Sequence, residues 1–294
     1  MKRIDFIQLI GGAFAMTSFN TFNTLTNLSD TLPENDSLMP VAFIGHGSPM
    51  NGIEQNEFSS YWEKLATKFE KPKAIICVSA HWLTKGTAVT ANSFPETIHD
   101  FGGFPDALFQ VQYPAKGDPE LAKETAHLIH STEVHLDHEW GLDHGTWTVL
   151  RHMYPAADIP VIQLSIDYTQ PANYHYEIAK QLQSLRKKGV LIIGSGNMVH
   201  NLRMVAWDKI NEPFGFDWAL EMNSIFKSKI MNGDHAALID YTHLNKAASL
   251  AIPTPDHYLP LIYCLALQTK QDNISFFNDK PMAGSLTMTS VLIH

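Results

Sequence analysis

Three histidines follow short apolar segments of the sequence, and each has glycine or serine close by. His46 follows the segment 41–44, His81 follows the segment 74–80, and His200 comes a few residues after the segment 190–194. Neutral imidazole is a common ligand of divalent transition metals, and a catalytic metal keeps open positions beside its protein ligands. Since no paired cysteines accompany these histidines, the pattern predicts one Zn²⁺ or Fe²⁺ in a catalytic site.

The apolar segments also predict how these histidines meet. They are continuously apolar and short, which is typical of buried strands, and further strands are predicted at 86–91, 160–166 and 285–293. Helices are predicted between the strands at 54–69, from 118, and at 171–188, 214–230 and 257–268. This alternation predicts an α/β fold, a single domain over 38–294 with a largely parallel central sheet flanked by helices. The carboxyl ends of parallel strands share one edge, so the three imidazoles can converge there.

Two more histidines stand at predicted helix starts. His144 lies in the segment Asp-His-Gly at 143–145, and His257 ends the segment Pro-Thr-Pro-Asp-His at 253–257. The positive end of a helix disfavours imidazolium, so either residue can be a metal ligand or hydrogen-bond partner, or simply a helix cap. The segment 94–114, rich in glycine, proline and aromatic residues, predicts a long ordered loop that forms a pocket wall, with His99 touching the substrate.

Several other functions are disfavoured by the sequence. The 294 residues carry a net charge of −9 without any basic run, which excludes a nucleic-acid-binding surface. Cys77 and Cys264 lie in apolar segments and are predicted to be buried free thiols. The Gly-Ser-Gly at 194–196 is not a nucleophile elbow, and the turn 45–48 lacks the P-loop pattern.

The first 37 residues differ from the rest of the chain. Lys2 and Arg3 precede an apolar segment at 6–16 and a polar stretch at 17–37, which is typical of an export signal of the twin-arginine kind followed by a linker. The alternative is an ordinary extension without a targeting role. The first interpretation predicts a periplasmic or exported protein and the second a cytoplasmic one. No segment approaches the ~18 apolar residues of a membrane span.

Six segments together resemble the 4,5-DOPA extradiol dioxygenase family of class III extradiol ring-cleavage dioxygenases. They are HGSPMN at 46–51, SAHW at 79–82, HDFGGFP at 99–105, DHGTW at 143–147, GSGNMVHNL at 194–202 and PTPDHY at 253–258. The resemblance implies an α/β fold, one metal ion (Fe²⁺ for ring cleavage, zinc in many bacterial members), O₂, and a catechol substrate such as DOPA. It also implies that His46, His81 and His257 bind the metal.

The resemblance gives further residues a role. It implies that His200 is a fourth ligand or the acid/base beside the metal, and that His144 lines the pocket. In a ring-cleavage mechanism, we expect His200 or His144 to be the acid/base. The residues predicted to bind the substrate are Ser48, Trp82, His99, Phe101, Phe104, Trp147 and Tyr258. No glutamate occurs in the six segments, whereas many class III enzymes bind iron through one, so zinc should be tolerated more readily. A zinc-dependent hydrolase and a non-catalytic metal-binding protein are the two alternatives.

Overall fold

A six-stranded sheet runs through the middle of the protein, in a computed structural model that describes residues 38–210 and 212–294. Its strands, in spatial order, are β6 (Val161–Gln163), β2 (Ala74–Ser79), β8 (Val190–Gly196), β1 (Val41–Gly45), β12 (Ser290–Ile293) and β9 (Ile274–Phe277). β6, β2, β8 and β1 run parallel, whereas β12 is antiparallel to both β1 and β9. The largely parallel sheet predicted from the sequence is confirmed, and the predicted N-terminal signal lies outside the described residues.

Short strands outside the main sheet form three further pairs. They are β3 (Leu83–Thr84) with β7 (Ile166–Asp167), β4 (Thr87–Thr90) with β5 (Val134–Asp137), and β10 (Pro281–Met282) with β11 (Leu286–Thr287). The sequence did not predict β5 or β9. Both are only partly buried, so neither has the continuous apolar run that identified the inner strands.

Helices cover both faces of the sheet. They are α1 (Glu57–Leu65), α2 (Asp106–Phe109), α3 (Pro119–Leu128), α4 (His144–Met153), α5 (Ala172–Lys180), α6 (Gln183–Lys187), α7 (Asp217–Met231), α8 (His235–Ile239), α9 (Ala248–Ala251) and α10 (Leu259–Ala266). Within β1, Val41 and Phe43 face the core that contains α5, α7 and α10, and Ala42 and Ile44 face the core with α1 and α4. Two-sided burial explains why these strands are apolar throughout.

Three predicted elements are interrupted in the structure. The strand expected at 160–166 ends at Gln163 and resumes as β7, and the helix expected at 171–188 is divided into α5 and α6. The strand expected at 285–293 likewise divides into β11 and β12. Periodicity identifies such segments but does not register a local break. In the described part of the chain, no helix has the length and apolar character needed to cross a membrane.

Candidate metal centre and active-site cavity

Three histidines meet at the carboxyl edge of the sheet. Two of them follow β1 and β2, and the third lies in the turn before α10. His46 directly follows β1, His81 follows β2 after one residue, and His257 precedes α10. The Nε2 atoms of His46 and His81 lie 3.1 Å apart, and one ring nitrogen from each of the three residues lies within 4.8 Å of the other two. This spacing suits three nitrogens that bind a common metal ion.

Gly196 at the end of β8 fixes the position of His257. The carbonyl oxygen of His257 accepts a hydrogen bond of 2.9 Å from the backbone N–H of Asn197. A Cβ atom on Gly196 would lie only 2.2 Å from that oxygen, so a side chain here would push the two segments apart. The glycine is therefore required for the close approach that places His257 beside the strand ends.

The hydrogen bonds of Ser195 define the tautomer of His46. The Ser195 hydroxyl donates to the carbonyl oxygen of Gly145 at 2.5 Å, and its oxygen lies 3.0 Å from Nδ1 of His46. A hydroxyl has a single proton, so the bond to His46 requires the imidazole Nδ1–H to donate. The lone pair of His46 is then on Nε2, the atom that faces His81.

Carboxylates define the other two rings in the same way. Asp100 Oδ2 lies 3.4 Å from Nδ1 of His81, and the Asp256 carboxylate accepts a short hydrogen bond from Nδ1 of His257. Each ring therefore has its lone pair on Nε2. Lone pairs gathered without a proton between them repel one another, and a divalent cation would turn that repulsion into attraction. The donor set fits a metal, and His46, His81 and His257 would hold it.

Burial keeps the imidazoles of His46 and His81 neutral. It is the main cause that lowers the pKa of His46 and of His81 well below the usual value, and the charges of neighbouring histidines add to it. Burial alone would raise the pKa of Asp256, but the hydrogen bond and charge of His257 lower it overall. The centre thus combines two neutral imidazoles, those of His46 and His81, with an ionised carboxylate behind His257.

His200 does not join this group of ligand atoms. Its ring lies flat on that of His257, with 3.6 Å between centroids and 6° between planes. Burial, followed by the charge of His257, lowers the pKa of His200 to about 2. Among the predicted metal ligands, the structure thus brings His46, His81 and His257 together and stacks His200 beside them.

His144 is the first residue of α4 and lies beside His81. Its Nδ1 is 2.8 Å from Asp100 Oδ2, and its ring centroid is 3.9 Å from that of His81. Asp143 caps this helix by accepting from the backbone N–H of Thr146, and it also accepts from the Ser79 hydroxyl. The helix start is therefore held against the end of β2, which fixes where His144 lies.

A cavity of about 440 Å³ opens beside the centre. His144 and His200 line it together with the three clustered histidines, and so do the predicted residues Ser48, Phe101 and Phe104. Most of the remaining wall is apolar and comes from the segment after β8 and the β10–β11 hairpin: Leu202, Val205, Trp207, Ile210, Met282 and Leu286. The cavity can therefore enclose an aromatic ring next to the imidazoles.

Four residues predicted to touch the substrate lie outside this wall. His99 is bonded through Nε2 to the Val111 carbonyl oxygen and packs behind Phe101, and Trp82 stacks on Trp140. The indole N–H of Trp147 donates to the carbonyl oxygen of Ile98, and the Tyr258 hydroxyl donates to that of Leu238. None of the four lines the described cavity, and a contact between any of them and the substrate stays a prediction.

Sequence reasoning missed three residues that orient the ligands: Asp100, Asp256 and Ser195. Asp100 directly follows His99 and Asp256 directly precedes His257 in the sequence. A carboxylate next to a candidate histidine was therefore the signal that could have identified both aspartates. Ser195 had none, because its contact with His46 joins residues 149 positions apart in the sequence.

This combination of an α/β sheet, neutral imidazoles at its carboxyl edge and an aromatic-walled cavity is typical of metal-dependent enzymes that act on small aromatic molecules. Residues 40–279 match the family described as the catalytic LigB subunit of aromatic ring-opening dioxygenase. The chain belongs to this family and is therefore an extradiol aromatic ring-opening dioxygenase.

Individual relatives agree with this assignment. A 4,5-DOPA dioxygenase extradiol from Escherichia coli (strain K12) is 44% identical over 273 residues, which are 92% of this chain and 100% of the relative. A protein of the same description from Beta vulgaris is 38% identical over 236 residues, 77% of this chain and 85% of the relative. The crystal structure of an uncharacterized protein from Escherichia coli K12 superposes with a TM-score of 0.76 at 40% identity, covering 87% of this chain and 100% of that one.

Proposed function

We propose that the protein opens the ring of a catechol such as DOPA with O₂, using one Fe²⁺ held by His46, His81 and His257. The observation that carries this proposal is the group of three imidazoles whose lone-pair nitrogens face one another beside the cavity. Family membership supports the reaction class, and the relatives named for DOPA support the substrate. Both oxygen atoms of O₂ enter the ring-opened product.

His46, His81 and His257 would hold the metal, which would supply open positions for the diol oxygens and O₂ and a route for electron density from the ring to O₂. The protein contributes the shape of the site. Phe101 and Phe104 stand edge to face, with 5.4 Å between ring centroids, and both border the cavity. We infer that they hold the catechol ring beside the imidazoles while the apolar wall excludes water.

A histidine beside the metal would handle the proton of the catechol. His144 has Nδ1 occupied by Asp100, so its Nε2 is the atom available to the cavity. His200 also borders this cavity. Either imidazole can accept a hydroxyl proton from the substrate and later protonate the oxygen that leaves.

The absence of a carboxylate among the three ligands bears on the choice of metal. Three neutral imidazoles discriminate less strongly between Fe²⁺ and Zn²⁺ than a set with one carboxylate. We therefore expect the protein to bind zinc as well, and to open rings only when iron occupies the site. Turnover that follows zinc content under strict exclusion of oxygen would instead favour the alternative, a zinc-dependent hydrolase.

A second cavity of about 410 Å³ supports a substrate with a charged side chain. It shares Ser48, Met50, Ile210 and Met282 with the first cavity, so the two adjoin. The histidine cavity has no lysine or arginine in its described wall, whereas the second is lined by Glu54, Glu57, Glu212 and Lys280. Lys280 and Glu57 form an ion pair with each other, and Glu54 and Glu212 are the acidic groups that suit the ammonium of an amino acid such as DOPA.

The decisive test is metal analysis of anaerobically purified protein combined with oxygen uptake. Protein reconstituted with Fe²⁺ is given DOPA, 4-ethylcatechol, catechol and protocatechuate under air, and the product is followed by its colour. We expect uptake with DOPA and with 4-ethylcatechol, and a preference for DOPA that Glu212→Gln reduces. No oxygen uptake with any catechol by the iron-loaded protein would refute the proposal.

A further inference from the structure

The carboxylate of Asp100 lies between two histidines that belong to different parts of the site. Its Oδ2 atom is 2.8 Å from Nδ1 of His144 and 3.4 Å from Nδ1 of His81. Its Oδ1 atom accepts the backbone N–H of His144 at 2.8 Å. Both oxygens are therefore used, and the side chain is only 16% exposed.

This contact imposes the same tautomer on both rings. An ionised carboxylate has no proton to donate, so each Nδ1 that faces it must bear one. The lone pair of each neutral ring is then on Nε2. For His81 that atom faces His46 at 3.1 Å, and for His144 it is the atom left for the cavity.

We propose that Asp100 is a positioning residue that orients a metal ligand and the proton-handling histidine through one carboxylate; the second half of this role rests on the proposed function. The rings of His81 and His144 are 3.9 Å apart at their centroids, so both can share one acceptor. The same oxygen that strengthens His81 as a ligand thus directs the lone pair of His144 to the substrate.

Asp256 provides a natural comparison. Its carboxylate accepts from Nδ1 of His257 and from the side chain of Thr254, so it supports a ligand without contacting His144. Asp100 and Asp256 together place two carboxylates one hydrogen bond behind the imidazoles. We infer that they supply from outside the negative charge that a carboxylate ligand would supply by direct contact.

The test compares Asp100→Asn with Asp256→Asn as its matched control. An amide is uncharged and has one acceptor oxygen, so it cannot accept from the backbone N–H of His144 while the same oxygen faces Nδ1 of His81 and of His144. Dissociation constants for Zn²⁺ are measured on the metal-free proteins by competition with a chelator, a readout independent of activity. We expect both variants to bind Zn²⁺ about 10- to 100-fold more weakly.

The second readout separates the two roles. At saturating Fe²⁺ and catechol, we expect kcat of Asp100→Asn to fall by about 10²-fold or more and kcat of Asp256→Asn to fall by clearly less, because only Asp100 also contacts the proton-handling His144. Asp100→Glu should restore part of both properties. Equal kcat values for the two asparagine variants at saturating metal, or unchanged Zn²⁺ affinity in Asp100→Asn, would overturn the proposal.

A measurement on the unaltered protein guards against misfolded variants. Nitrogen-15 spectra of histidine-labelled, zinc-loaded wild type report which nitrogen of each ring is protonated. The proposal requires Nδ1–H on His81 and on His144, and an Nε2–H tautomer of His144 would overturn it. If the wild type consumes no oxygen, the proposed function fails while the Zn²⁺ affinities and the tautomers still test Asp100.

Discussion

Buried polar groups at the two ends of the parallel sheet differ in whether other protein groups complete their hydrogen bonding. At the amino end, Arg186 is fully buried and donates to the carbonyl oxygens of Met39 and Leu267 at 2.8 and 2.7 Å. It also makes two hydrogen bonds to the Asp272 carboxylate at 2.8 and 2.6 Å. At the carboxyl end, the imidazoles of His46, His81 and His257 turn lone pairs toward one another.

This difference separates a structural site from a functional one. The guanidinium at the amino end has partners within the protein, and its charge is balanced by Asp272. The imidazoles at the carboxyl end are satisfied on Nδ1 but not on Nε2, so the protein alone does not complete their bonding. A buried polar group that is left incomplete indicates something that binds there.

The largest effect should come from His46→Ala. Loss of one ligand should abolish stoichiometric metal binding and lower kcat/KM with a catechol by about 10³-fold or more. Because the substitution also removes a repulsive lone pair, the metal-free variant should melt at a temperature no lower than metal-free wild type. Metal content and calorimetry decide this, and a variant that retained one metal per chain would contradict the ligand assignment.

His200→Gln tests whether the histidine stacked on His257 is a ligand or an acid/base. Since His200 lies outside the group of ligand atoms, we expect the variant to keep its metal while kcat falls by about 10²- to 10⁴-fold. His175→Gln is the matched control, because His175 is buried in the core and bonded to the Tyr263 hydroxyl. The control should lose stability but keep its turnover. Loss of metal from His200→Gln would instead show that His200 is a metal ligand.

The sequence predicted the carboxyl end of the sheet better than the amino end. His46 and His81 were recognisable because each follows a continuous apolar strand, and this local pattern is visible in the sequence itself. The resemblance to a known family supplied His257, whose approach to β8 depends on the close contact with Gly196. Neither the periodicity nor the resemblance indicated Arg186 and Asp272, since their pairing joins residues 86 positions apart.

The boundary between cavity and core was also beyond the sequence. Phe101 and Trp147 both lie in segments typical of the family, yet one borders the cavity and the other is fully buried behind it. The two rings are in contact, with 6.1 Å between centroids. Tertiary packing determines which of two touching aromatic rings borders the cavity, so composition and spacing cannot predict it.

Arg186→Met should be the most damaging of these changes for folding, and it should spare the chemistry. Removing the guanidinium leaves the Asp272 carboxylate buried without its partner, which costs about 3–5 kcal/mol of unfolding free energy. Urea denaturation measures this loss, and metal content and kcat of the folded variant should match those of the wild type. The double variant Arg186→Met/Asp272→Leu is the control, and it should recover most of the stability. A large loss of kcat in Arg186→Met would show that the two ends of the sheet are coupled.

The smallest effect concerns the pH dependence of the same ion pair. Burial alone would raise the pKa of Asp272, but hydrogen bonds from Arg186 and Thr269 and the charge of Arg186 lower it overall. A carboxyl whose pKa is lower in the folded protein contributes stability above its unfolded pKa of about 3.9, and loses that contribution as the pH falls through the folded value. The unfolding free energy of metal-free wild type should therefore decrease below about pH 4 more steeply than that of the double variant. Identical slopes for the two proteins would mean that Asp272 has the same pKa folded and unfolded, and the amino end of the sheet would then be held by the carbonyl contacts of Arg186 alone.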